Sequence, residues 1–181
     1  MKSNPILREI IDWILHIAIA VLAGIFVVTF VAQRPIVDGN SMVPTLHDGD
    51  QLIVEKITPR LGKLKRGDVV TVYIPELLGE GKEYVVKRII AMEGDVIEIK
   101  DGQVFVNDEK LEEDYINGNR TYVVNSEYNG ITIPEGHVFV MGDNRLPHAS
   151  YDSRSFGPIP VSKITGKVLI RYYPFKNRSK T

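Results

Sequence analysis

"EYVVKRIIAMEGDVIEIK", residues 83–100, places two apolar runs on either side of a Glu-Gly-Asp turn signal. Val85, Val86, Ile89 and Ile90 crowd around Lys87 and Arg88, and β-branched residues at this density favour an extended chain. Neighbours in such a chain point to opposite faces, so Lys87 shares its face with Val85 and Ile89, and Arg88 shares the other with Val86 and Ile90. The stretch reads as two consecutive strands, the first apolar on both faces.

The same signal recurs outward in both directions. "QLIVEK" (51–56), "DVVTVYI" (68–74), "QVFVN" (103–107), "TYVVN" (121–125), "HVFVMG" (137–142) and "GKVLIRYY" (166–173) are short β-branched runs. Gly-Asp pairs at 49–50, 67–68, 94–95 and 142–143 separate them, and Asn107-Asp108 has the chemistry of a tight hairpin turn. The expected fold class is mainly β, an antiparallel barrel or sandwich over residues 33–181. Residues 101–134 are richer in acids, Asn and Gly than their flanks and are expected to form a smaller β insertion.

Before these strands stands "WILHIAIAVLAGIFVVTFVA", residues 13–32, with no Asp, Glu, Lys or Arg. Twenty apolar residues suffice for one bilayer-spanning helix. The run is longer than the apolar core of a cleaved secretory leader, and its one Ala-x-Ala, at Ala18–Ala20, lies mid-run, so a retained anchor is expected. Lys2 and Arg8 precede the run and Arg34 follows it; this excess of basic residues places residues 1–12 in the cytoplasm and the β domain outside.

Composition narrows the chemistry. The chain has 181 residues, 44% of them hydrophobic, and a net charge of -1, which carries neither a disorder signature nor a nucleic-acid footprint. Without cysteine there is no disulfide or thiolate to propose. His16, His47, His137 and His148 lack metal-ligand spacing, so no metal site and no cofactor are expected.

Lys87 and Arg88 differ chemically even where both are buried. A guanidinium stays charged, whereas a desolvated ammonium can lose its proton and act as a base. A serine hydroxyl needs such a base to become a nucleophile, and no histidine here stands in a recognisable triad context. "VDGNSMVPTLHDGDQ", residues 37–51, offers a serine, Ser41, in a turn-forming segment close after the anchor. Strand heads that snorkel to water are the plainer explanation of Lys87 and Arg88, and the residues alone leave the Ser41–Lys87 pairing one possibility among several.

The anchor, "GNSMVPTL", "RGDVVTVYIP", "YVVKRIIAMEGDVIEI" and "GDNR" followed by "SYDSRSFGPIP" resemble, in order, the successive motifs of the bacterial type I signal peptidases. The likeness runs from residue 13 to about 175, and the short insertion resembles the compact Gram-positive form. It implies a membrane-bound serine endopeptidase that cleaves signal peptides from exported preproteins, with Ser41 as nucleophile and Lys87 as general base. It further implies that Ser150 hydrogen-bonds the lysine and that Asp152 and Arg154 form a bracing ion pair. Val37, Met42, Leu46 and Val86 would line shallow subsites for small residues before the cut. Asp143 and Arg145 read as scaffold. The backbone N–H of Ser41 is the expected oxyanion donor; Gly39 stands where some relatives carry a second, hydroxyl donor. Four residues, "LPHA" at 146–149, stand where relatives commonly have two, which bears on the register of Ser150. Expected partners are signal peptides and membrane lipid, with a monomeric enzyme and no nucleic acid. A self-cleaving Ser-Lys repressor is disfavoured because residues 1–34 supply an anchor in place of a DNA-binding domain. A catalytically silent β module is opposed only by the joint presence of Ser41 and Lys87.

Overall fold

The computed structural model describes residues 5–27, 32–79, 81 and 83–174. Helix α1 (Pro5–Phe26) opens on proline, whose fixed φ suits the first helical position. Its Arg8–Phe26 segment is long and apolar enough to cross a membrane, and its side chains are exposed. The helix thus begins before the span 13–32 expected from apolarity, because Arg8, Glu9 and Asp12 are as compatible with helical backbone as the apolar residues are. The expected span also ends too late: Ala32 pairs with Glu55 as part of strand β1 (Ala32–Gln33). Residues 28–31 of that span lie outside the described residues.

Two antiparallel sheets follow. The larger joins β1, β2 (Gln51–Glu55), β3 (Val69–Tyr73), β4 (Tyr84–Ala91), β9 (His137–Met141), β10 (Ile159–Pro160) and β11 (Ile164–Tyr173) in the order β1-β2-β11-β3-β4-β9-β10. The smaller joins β5 (Val96–Lys100), β6 (Gln103–Val106), β7 (Glu109–Lys110) and β8 (Ile131–Thr132) in the order β7-β6-β5-β8. The smaller sheet includes Val96–Lys100, residues earlier than the expected start near 101, because β5 pairs with β6 and β8 and with no strand of the larger sheet. Asn107 and Asp108 both adopt positive φ, 56° and 65°, in the two-residue turn between β6 and β7. "TYVVN" forms no strand: Tyr122, Val123 and Val124 are exposed there, and among the described residues no strand pairs with them.

Strands β4 and β9 are apolar on both faces because they serve two cores. Ile89, Val138 and Val140 pack with Val70, Val72 and Ile74 in one, while Ile90, Phe139 and Met141 pack with Ile97, Ile99 and Val104 in the other. Burial of each such side chain contributes about 1.5–3 kcal/mol, so β4 is fixed in place from both sides. A third cluster, Val37, Met42, Leu46, Leu52 and Val54, lies under the loop between β1 and β2. Lys87 therefore projects from one of the most constrained strands in the chain.

Candidate active site

The loop between β1 and β2 is closed at its neck by Val37 N–H to the Asp50 carbonyl (2.8 Å) and Gly49 N–H to the Val37 carbonyl (2.9 Å). Inside it Gly39 N–H donates to Asp48 Oδ1 at 2.8 Å, and Val43 N–H donates to the Asn40 carbonyl at 3.2 Å. Met42 is buried at the centre of the third core, which pins the residue next to Ser41. The turn thereby presents Ser41, half-buried, on a fixed backbone.

Lys87 meets it from β4. Its Nζ donates to Ser41 Oγ at 2.7 Å, and the residue is only 2% exposed. Burial lowers the ammonium pKa from 10.5 to about 8; the negative charge of Asp152 opposes the shift, Arg154 adds to it, and Asp143 opposes it. A lysine in that range is partly neutral near physiological pH, and it touches a hydroxyl.

Asp152 and Arg154 form a buried two-point ion pair, with Nε to Oδ1 and Nη2 to Oδ2 both 2.8 Å. Asp152 also accepts from Gly142 N–H at 3.0 Å and from Arg154 N–H at 3.2 Å, where it caps the short helix α2 (Ser153–Phe156). Burial pushes its carboxyl up, but the Arg154 guanidinium and the Gly142 amide outweigh this and hold it below the ordinary carboxylate range. Ser150 Oγ adds to that lowering, yet it completes no hydrogen bond of ordinary geometry and is buried without a partner. It does not bond Lys87, the contact that the family likeness implied.

Glycine at 142 is dictated by space. A Cβ there would stand 2.3 Å from Ser150 Oγ and 2.4 Å from the Ser41 carbonyl oxygen, well inside contact distance. Beside it Asp143 takes a two-point contact from Arg88, Nε to Oδ1 at 2.8 Å and Nη2 to Oδ2 at 2.6 Å, and a short hydroxyl contact from Thr45. The Arg88 guanidinium lies 3.9 Å from the centre of the Tyr115 ring. Thus of the adjacent pair Lys87 and Arg88, one reaches Ser41 Oγ and the other braces the loop that carries Gly142.

A groove of about 430 Å³ starts at Ser41 and runs along Val37, Met42, Val85 and Val86. Three of the four expected subsite residues are on its wall. Leu46 is not: its N–H closes a helical turn onto the Met42 carbonyl (2.9 Å), and its side chain is buried in the core with Leu52 and Val54. Thr71, Thr165 and Tyr84 line the groove without having been singled out from sequence. Thr71 and Thr165 sit on different strands, and only the pairing of β3 with β11 brings them together. Among the described residues no group of three or more His, Asp or Glu is arranged to hold a metal ion.

Known proteins fit this arrangement. A family model described as "Signal peptidase, peptidase S26" matches residues 10–173. The chain is 34% identical to signal peptidase I of Bacillus licheniformis, over 99% of this chain and 97% of that one. It is 35% identical to signal peptidase I T of Bacillus subtilis (strain 168), over 99% and 92%. It is also 37% identical to the chloroplastic thylakoidal processing peptidase 1 of Arabidopsis thaliana, over 86% of this chain and 46% of that longer one. A match that takes in most of α1 and both sheets establishes that the chain belongs to the signal peptidase family, peptidase S26.

Proposed function

We propose that this chain removes signal peptides from exported preproteins through a Ser41–Lys87 dyad, on the outer side of the cytoplasmic membrane. The observation that carries the reading is the 2.7 Å contact between the buried Lys87 amine and Ser41 Oγ. Neutral Lys87 takes the Ser41 proton as Oγ attacks the scissile carbonyl, and the resulting oxyanion is met by Ser41 N–H, a contribution of about 3 kcal/mol for such a donor. Gly39 N–H is already engaged by Asp48 and does not compete for that role. The lysine then returns its proton to the departing amine, which leaves as the new N-terminus of the mature protein. Water, deprotonated by the same lysine, then attacks the Ser41 ester; its C–O bond breaks, the lysine returns the proton to Ser41 Oγ, and the signal peptide leaves with a free carboxyl terminus.

Ser150 Oγ, buried beside the Ser41 carbonyl and without a partner, is free to accept from the amine while its lone pair faces Ser41. Asp152 and Arg154 hold Gly142 at close approach. Val37, Met42 and Val86 leave room only for small side chains before the cut, with Leu46 supporting them from below. α1 anchors a monomer in the bilayer with its N-terminus inside, which keeps the groove near the membrane where signal peptides are held. The reaction needs no cofactor.

Incubating the detergent-solubilised chain with a preprotein and locating the cut by mass spectrometry tests this directly. Cleavage after a small residue at the end of the signal peptide, lost completely in Ser41→Ala, is expected. No cleavage, or cleavage by Ser41→Ala, overturns the assignment.

A further inference from the structure

The segment between β7 and β8 touches the catalytic loop at several points that the chemistry above does not use. Asn117 forms an isolated bridge with Asn144: its N–H donates to the Asp143 carbonyl (2.8 Å), and its carbonyl accepts from Arg145 N–H (3.1 Å). Its side-chain amide donates to Asn144 Oδ1 at 3.2 Å, an oxygen that also accepts a longer contact from Leu146 N–H at 3.4 Å. Asn144 in turn holds the nucleophile turn twice, through Nδ2 to the Asn40 carbonyl (3.0 Å) and through its backbone N–H to the Ser41 carbonyl (2.9 Å). Alongside, the fully buried Arg145 donates to the Gly142 carbonyl at 2.8 Å and is itself held by both Glu113 carboxylate oxygens and by Thr121 Oγ1.

We infer that Asn117 is a positioning residue for the Ser41 nucleophile, acting through Asn144, so that the smaller-sheet segment sets the aim of the dyad. A donor amide at 117 fixes which way the Asn144 amide faces: with Oδ1 occupied by Asn117, Nδ2 is directed to the Asn40 carbonyl. Loss of that donor leaves Asn144 Oδ1 only the longer contact from Leu146 N–H, so the Asn144 side chain can turn, and the Asn40 carbonyl then keeps only its contact from Val43 N–H. Misplacement of a nucleophile by a fraction of an ångström costs rate with little effect on substrate binding.

This inference rests on the peptidase reading, and the test separates the two. Cleavage of one signal-peptide substrate is measured for wild type, Ser41→Ala, Asn117→Ala, Asn144→Ala and the double variant Asn117→Ala/Asn144→Ala, with thermal midpoints followed by circular dichroism. An inactive wild type or an active Ser41→Ala defeats the peptidase reading itself. Given an active wild type, each single Asn variant is expected to lower kcat about tenfold with KM nearly unchanged, and the double variant to be no worse than Asn144→Ala alone. Asn117→Asp, nearly the same shape but without the donor, is expected to be at least as impaired as Asn117→Ala, whereas a role in packing alone makes it the milder change. Unchanged kcat in Asn117→Ala, losses that multiply in the double variant, or a mild Asn117→Asp overturns the inference. Should Asn117→Ala fail to fold, Asn117→Ser, also too short to reach Asn144, takes its place in the same cycle.

Discussion

Lys87 gives up the hydration of an ammonium to stand beside Ser41, and that has a measurable consequence for folding. Its folded pKa of about 8 lies below the unfolded value of 10.5, so the native state disfavours the protonated form. The penalty is complete below pH 8, shrinks between pH 8 and 10.5, and is gone above that range. Lys87→Met is therefore expected to be inactive yet more stable than wild type at pH 7, by about 2–3 kcal/mol, with the difference narrowing at pH 10. Urea denaturation at the two pH values reads it; a less stable variant contradicts the burial account. Gly142 gives the converse case. Gly142→Ala is expected to lower kcat by at least about a hundredfold, because a misplacement of this kind at the reacting centre is worth that much. Its Cβ must displace both Ser150 Oγ and the Ser41 carbonyl. Steady-state kinetics on the folded variant checks this, and near-normal kcat contradicts the packing described. Ser41 and Lys87 were legible in sequence as motif residues. The role of Gly142 was not, since only the crossing of two distant loops creates the crowding.

Among the elements, β4 was readable in advance because a strand apolar on both faces can be satisfied only between two cores. The insertion of β11 between β2 and β3 was not, as nothing local to residues 164–173 specifies partners more than ninety residues earlier. That pairing is why Thr71 and Thr165 escaped attention as groove residues. The "TYVVN" run has strand-forming residues but no partner strand among the described residues, and propensity without pairing leaves Tyr122, Val123 and Val124 outside both sheets and exposed. α2 owes its entry to Asp152, which both caps it and neutralises Arg154. Asp152→Ala leaves a buried guanidinium without its counter-charge and is expected to destabilise the fold by about 3–5 kcal/mol. Replacing both members together, Asp152→Ala with Arg154→Leu, is expected to recover part of that loss. A denaturant midpoint that is unmoved in the single variant, or worse in the double one, shows that the pair does not brace the site.

At the scale of the whole molecule, one apolar helix followed by a β domain was legible from length and patterning alone, while the limits of each part were not. Ala32, the last residue of the apolar run, belongs to β1, and α1 begins at Pro5, over charged residues that precede the run. The smaller sheet likewise begins before the composition changes. On the proposed reading these parts meet a single requirement: a serine held on a rigid turn, at the end of a groove for small side chains, against a lysine neutral enough to serve as base. The pH dependence of kcat/KM for the detergent-solubilised full chain, with one signal-peptide substrate, tests that requirement most directly. The account predicts a single ascending limb centred near pH 8, rising about tenfold per pH unit below it and level above, because activity follows neutral Lys87. A limb centred near pH 6.5 with no later rise would point to a histidine base and contradict the Ser41–Lys87 assignment.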